Sequence, residues 1–226
     1  ARGFELSSNT IIVQSVMESY KDNPKLFVDR INSYGMNKPL GLPIEGEGKP
    51  YIPQPGTSGW SGTTLPWMAF GYNVSITPLQ TLTLYNAVAN NGIMVKPIFV
   101  SEIKEWNKTI KNYNTQVINP KICSQETLDK VHAVLENVVK KGTGSKLYSK
   151  DFSMAGKTGT AQVNYKDKSK LYYASSFVGY FPADEPKYSC IVVVHKPNVA
   201  AGYYGADVAG PVFKRIAQKI FTDSPS

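Results

Sequence analysis

Apolar positions recur at helical spacing in several separate stretches of this chain. Ile11, Ile12, Val16 and Tyr20 form one set, with Ser8 or Asn9 placed to cap it. Asn23-Pro24 opens a second helix through Phe27, Ile31 and Tyr34, and Gly35 is its stop. Thr77-Pro-Leu-Gln80 predicts a third start: Thr77 as cap, Pro78 at the first helical position, and Gln80 completing a capping box. That helix runs through Leu84, Tyr85 and Val88 to Asn91-Gly92. A fourth begins near Ser124. Its Leu128, Val131, Leu135, Val138 and Val139 fall on one face, and Gly142 and Gly144 end it. The stretch from Gly41 to Pro66 is rich in Gly, Pro, Ser and Thr and reads as a long loop, a length usually tied to function or mobility.

Elsewhere the period shortens. Val95 to Ile103 and Ile110 to Val117 read as extended, and Met154 to Gln162 as one or two strand segments. Tyr172 to Pro182 and Tyr188 to Lys196 predict a hairpin around Ala183-Asp-Glu-Pro186. A helix from about Ala209 to Ile220 closes the chain. Strands in succession followed by a terminal helix predict an α+β fold, an antiparallel sheet with helices packed on it.

The 226 residues suffice for one large domain or two small ones, and 42% hydrophobic content permits a core of useful size. A net charge of +8 favours anionic partners, such as anionic lipid or a carboxylate-bearing polymer. Solubility alone is the plain alternative. No basic run alternates with aromatics and no zinc-finger pattern occurs, so nucleic acid is the weakest partner class. Two histidines argue against histidine-based chemistry, and Cys123 and Cys190 are too far apart to mark a metal site or a disulfide framework. No run of about 18–20 apolar residues is present, and no signal peptide opens the chain. The start, Ala1-Arg-Gly-Phe-Glu-Leu6, is expected to lie in the interior of a longer protein.

Two short motifs carry candidate chemistry: Ser7-Ser8-Asn9 and Lys157-Thr158-Gly159-Thr160. Alone, the first is an ordinary helix cap and the second an ordinary strand or turn. Their context sharpens them. Ser7-x-Asn9 stands at a helix entrance, where a hydroxyl and an amide can face a cleft. Strand alternation puts Lys157 and Gly159 on one face and Thr158 and Thr160 on the other. A substrate backbone could approach the strand at Gly159 and pair with its edge. A cation beside two hydroxyls suits a carboxylate ligand. Other chemistries fit poorly. There is no Gly-x-Ser-x-Gly elbow for a hydrolase triad, His132 reads as a helix-face residue, and no Walker lysine follows Gly142-Thr-Gly144.

The pair makes up two-thirds of a signature, Ser-x-x-Lys with Ser-x-Asn and Lys-Thr-Gly. In it the chain resembles the transpeptidase domain of penicillin-binding proteins. Met68-Ala-Phe-Gly-Tyr-Asn-Val-Ser-Ile-Thr-Pro-Leu-Gln80, Val138-Val-Lys-Lys-Gly-Thr-Gly144, Ser176-Phe-Val-Gly-Tyr-Phe-Pro182 and Tyr204-Gly-Ala-Asp-Val-Ala-Gly-Pro-Val-Phe213 extend the resemblance over nearly the whole chain, in the family's order. Class B, division-type enzymes are the most similar. The resemblance implies the penicillin-binding/serine β-lactamase-like fold and a D,D-transpeptidase that works through a serine acyl-enzyme, without cofactor or metal. It also implies D-Ala-D-Ala stem peptides and β-lactams as ligands, division or elongation proteins as partners, and an inner-membrane anchor with the catalytic domain outside the cytoplasm. Carried over, Ser7 relays protons, Asn9 holds the acyl-side amide and Lys157 sustains a positive field. The Thr158 and Thr160 hydroxyls bind the terminal carboxylate across Gly159, and the Thr160 N–H is an oxyanion donor.

The family's nucleophile lies in Ser-x-x-Lys upstream of Ser-x-Asn, so residues 1–226 are expected to be the C-terminal portion of the domain, inactive alone and with part of the sheet and the first catalytic helix outside them. The one literal match, Ser101-Glu-Ile-Lys104, lies in an extended stretch, where side chains three apart face opposite ways. Two alternatives stay open at this point: a serine β-lactamase or β-lactam sensor, and a non-catalytic scaffold of a division complex.

Overall fold

A computed structural model describes residues 1–164, 167 and 169–223, and helices begin at the predicted starts near Ser8, Asn23, Thr77 and Ser124. A short turn of helix, α1 (Arg2–Glu5), comes first and has no counterpart in the apolar periodicity. In α2 (Asn9–Tyr20), the Ser8 hydroxyl accepts the Ile11 N–H at 3.5 Å. Helix α3 (Pro24–Ser33) carries Pro24 at its first position and stops ahead of Gly35, whose φ of +72° suits a residue without Cβ.

The loop predicted to reach Pro66 ends earlier, because α4 (Thr64–Ala69) starts inside it. Pro66 is compatible with that start, since first-turn N–H groups have no intrahelical partner to lose. Helix α5 (Pro78–Ala89) has the complete capping box. Thr77 Oγ1 accepts the Gln80 N–H at 3.1 Å, and the Thr77 N–H donates to Gln80 Oε1 at 2.9 Å.

The two extended segments expected after α5 are instead four short strands: β1 (Met94–Val95), β2 (Glu102–Glu105), β3 (Lys108–Asn112) and β4 (Val117–Asn119). They form two separate antiparallel pairs, β1 with β4 and β2 with β3. Pro97 cannot donate to a ladder, so β1 is brief. Trp106 and Asn107 both take left-handed φ, +47° and +64°, and reverse the chain between β2 and β3. A tryptophan at such a position is uncommon, which is why the turn is hard to read in sequence.

The remaining elements are α6 (Gln125–Lys141), β5 (Ala155–Val163), β6 (Tyr172–Phe181), β7 (Tyr188–His195) and α7 (Gly205–Asp223). Helix α7 begins before Ala209, where the sequence places its start, and carries Pro211 in its interior.

The chain divides into two compact units. One is Val13–Ser124, with Val28, Ile52 and Met68 at its centre, packed by Phe27, Ile31, Trp60 and Val74. Here the buried Gln80 amide also donates to Lys38 O at 2.8 Å, fastening the loop to the α5 cap.

The other unit is Ala1–Ile12 with the chain from Gln125 onward. Its antiparallel sheet has the order β5-β6-β7, the predicted α+β arrangement. Phe177, Phe181 and Phe213 build its core with Val139, Leu147 and Met154, and the Phe177 and Phe213 rings are 4.7 Å apart. His132 Nδ1 and the Tyr180 hydroxyl share a 2.7 Å hydrogen bond that ties α6 to β6.

Truncating Phe213 to alanine is expected to remove about 3–5 kcal/mol of unfolding free energy. Trp106, 95% exposed at its turn, is expected to change it by less than about 0.5 kcal/mol on conversion to serine. Urea titrations of the two variants check the contrast.

Candidate active site

Strand β5 lies at one edge of its sheet. It pairs with β6 on one side, and among the described residues no strand pairs with the other. The pairing sets Lys157 opposite Val178, Thr158 opposite Phe177, Gly159 opposite Ser176 and Thr160 opposite Ser175. From this strand Lys157 reaches Ser7, across 150 positions of sequence, and its Nζ donates to Ser7 Oγ. Nζ also lies 3.3 Å from Thr158 O and 5.6 Å from the centre of the Phe4 ring. Ser7 sits in the joint between α1 and α2 with φ +51°, a left-handed conformation that a residue with Cβ holds only when its surroundings impose it.

Burial lowers Lys157 from an ordinary value of 10.5 to about 8. Near neutral pH it is therefore mainly an ammonium ion with an accessible amine form. Such a group can hold a proton on a neighbouring hydroxyl or exchange one with it.

Thr158 Oγ1 and Thr143 Oγ1 are 2.8 Å apart, and Thr160 Oγ1 accepts the Gly205 N–H at 3.0 Å. Each hydroxyl keeps hydrogen-bonding capacity for a ligand. Gly159 has an internal reason to lack a side chain: a Cβ there would lie 2.5 Å from Ser176 Oγ. Gly205 is confined in the same way, its Cβ falling 2.3 Å from Ser176 O and 2.5 Å from Gly159 O. The N-terminus of α7 is thus pressed onto β5 at the motif. Asn9 is exposed at the first position of α2.

Sequence reasoning missed several neighbours. Phe4 and Thr143 are two. A stack of tyrosines is another, with Tyr173 against Tyr203 at 4.1 Å and Tyr203 against Tyr204 at 4.4 Å. Gln162 Nε2, farther along β5, donates to Tyr173 Oη at 3.3 Å. The doublets Tyr172-Tyr173 and Tyr203-Tyr204 were the available signal, but nothing local says that they meet. Ser101 and Lys104, by contrast, belong to the exposed β2–β3 region, where Lys104 pairs with Glu102 at 2.7 Å. Among the described residues, no group of three or more His, Cys, Asp or Glu side chains could hold a metal ion, and no helix is long and apolar enough to cross a membrane.

The lowered Lys157 has a signed consequence. Between about pH 8 and 10.5 the unfolded chain holds the proton that the folded chain has released. Stability therefore rises with pH across that window. Lys157→Met is expected to abolish this part of the rise. Urea midpoints taken against pH test it, and parallel curves for parent and variant would contradict it.

The pattern of the penicillin binding protein transpeptidase domain matches residues 1–218. Peptidoglycan D,D-transpeptidase FtsI of Buchnera aphidicola subsp. Baizongia pistaciae is 30% identical over 195 residues, covering 85% of this chain and 32% of that protein. Stage V sporulation protein D of Bacillus subtilis is 31% identical over 194 residues, covering 82% and 29%. The chain therefore spans about a third of the length of these curated relatives. Penicillin binding protein 3 of Mycobacterium tuberculosis, solved in complex with aztreonam, superposes with a TM-score of 0.81 at 26% identity, over 98% of this chain and 50% of that one. The match runs through both motifs that Lys157 and Ser7 join, and the chain belongs to the penicillin-binding protein transpeptidase domain family.

Proposed function

We propose that residues 1–226 are the C-terminal portion of a transpeptidase domain, and that the protein carrying them is a class B, division-type D,D-transpeptidase. It cross-links peptidoglycan stem peptides in the periplasm, from an anchor in the bacterial inner membrane. The observation that carries this reading is the hydrogen bond from Lys157 Nζ to Ser7 Oγ, which joins the Ser-x-Asn and Lys-Thr-Gly motifs in one site. The curated names of the relatives, peptidoglycan D,D-transpeptidase among them, support the substrate class.

In this mechanism the nucleophile is a serine in a Ser-x-x-Lys segment outside these residues. Its oxygen attacks the penultimate D-Ala carbonyl, the C–N bond breaks, and the terminal D-Ala leaves with the proton on its amine. An amine from a second stem peptide then attacks the ester, forms the cross-link and returns the serine. Ser7 relays the proton to the leaving nitrogen, with Lys157 holding that hydroxyl in place and supplying positive charge. The Thr158 and Thr160 hydroxyls take the terminal carboxylate, and Asn9 the acyl-side amide. The Thr160 N–H serves the oxyanion along β5 beside Gly159, and one such donor is worth about 3–4 kcal/mol of barrier. A β-lactam enters the same chemistry, because its ring amide acylates the serine and its carboxylate takes the Thr158–Thr160 position. The solved relative bound to aztreonam supports that ligand class. The net charge of +8 suits an anionic wall polymer, and division or elongation proteins are the expected partners.

Intact mass of the whole protein after benzylpenicillin treatment, followed by peptide mapping, tests the reading. One adduct per molecule is expected, on a serine outside residues 1–226. Ser7→Ala and Lys157→Met are each expected to slow acylation roughly a hundredfold. An adduct within residues 1–226 would overturn the location of the nucleophile. No adduct at all would favour a scaffold.

A further inference from the structure

Ser7 hangs from a helix that cannot hold itself. Helix α1 has 4 residues, and a single turn is unstable without outside contacts. Those contacts come from the last residue of α6 and the turn that follows it. The Glu5 side chain is only 3% exposed, and its Oε2 accepts from Arg2 Nη1 at 3.0 Å. Arg2 Nη1 donates as well to Lys141 O at 3.1 Å, and Lys141 Nζ lies 4.0 Å from Glu5 Oε1. The Glu5 backbone carbonyl accepts the Thr143 N–H at 3.1 Å. Gly142 permits this approach, since a Cβ there would fall 2.4 Å from Glu5 O and 2.8 Å from Val138 Cα.

The same turn also touches the catalytic strand. Thr143 Oγ1 bonds Thr158 Oγ1 at 2.8 Å, next to Lys157. The path is closed: Glu5 to Thr143, Thr143 to Thr158, Lys157 to Ser7, and Ser7 back along the chain to Glu5. Both partners of the Ser7–Lys157 bond are thereby measured from one turn. We infer that Glu5 and Thr143 are positioning residues, which hold the Ser7 hydroxyl against Lys157 without touching substrate. This rests on the assignment of Ser7 and Lys157 proposed above.

Two further features agree. The hydrogen bond from Arg2 keeps the Glu5 carboxyl below the usual range, against the opposing effect of burial, and Lys141 adds to it, so the clamp is ionised at neutral pH. Helix α1 also brings Phe4 over Lys157. Loosening α1 therefore uncovers the lysine as well as displacing the hydroxyl, and Lys157 should titrate closer to an ordinary lysine.

The test uses the intact protein and the rate constant for acylation by benzylpenicillin, measured against pH, together with the melting temperature. Glu5→Ala and Thr143→Val are expected to slow acylation roughly ten- to a hundredfold and to move the midpoint near pH 8 upward. Thr143→Ser keeps the hydroxyl and is expected to restore both. Should Glu5→Ala fail to fold, the Thr143→Val and Thr143→Ser pair decides alone. A lowered melting temperature with unchanged rate and unchanged midpoint would reduce both residues to structural parts and overturn the inference. If Ser7→Ala itself leaves acylation intact, the assignment of the site fails instead.

Discussion

The hydrogen bond between Lys157 and Ser7 is the constraint around which this site is arranged. It joins a strand residue to a helix joint far away in sequence, so neither end can be set by local structure. A half-buried ammonium is costly unless it gains partners. Among the described residues no carboxylate forms an ion pair with it, and its nearby groups are a hydroxyl, a backbone carbonyl and the Phe4 ring. Such an arrangement persists only if the strand beneath it cannot shift.

What confines β5 is close packing at positions where side chains are missing. Gly156, Gly159 and Gly179 let β5 and β6 lie where a Cβ would collide with the opposite strand or with Phe177. Gly205 does the same for the N-terminus of α7, and its N–H is bonded to Thr160. Beneath them Phe177 and Phe213 fill the core between sheet and helix. The motif is therefore held along its pairing with β6, at the start of α7 and at the Thr143 turn, while among the described residues no strand pairs with its outer edge.

How much of this could be read in the sequence depends on the range of the forces involved. The α5 capping box, the apolar face of α6 and the β6–β7 hairpin are local, and each was legible from spacing and turn residues. The long loop hid α4 because proline and glycine dominate its composition. The Trp106-Asn107 turn carried no glycine to announce it. The early start of α7 depends on Gly205 lodging against Ser176 and Gly159, a tertiary contact. Ser7 and Lys157 were legible only as fragments of a family signature. Glu5, Gly142 and Thr143 carried no signal of chemistry at all, since their roles arise from tertiary contacts that no local pattern announces.

Among the described residues no carboxylate pairs with Lys157, and that bears on how the site would treat ligands. A lysine neutralised by a fixed acid has little field left for substrate. Lys157 is lowered by burial instead, so its charge is uncompensated when present. An anion docking beside Lys157 would supply a counter-charge and raise its pKa, which would change its protonation only near and above about pH 8. In that range ligand binding and proton uptake would be coupled, and an anionic ligand would favour the state in which Ser7 accepts a hydrogen bond from a full ammonium. A neutral ligand of the same shape would lack that coupling. Selection for an anion at this strand can thus arise from the charge of Lys157 as much as from the neighbouring hydroxyls.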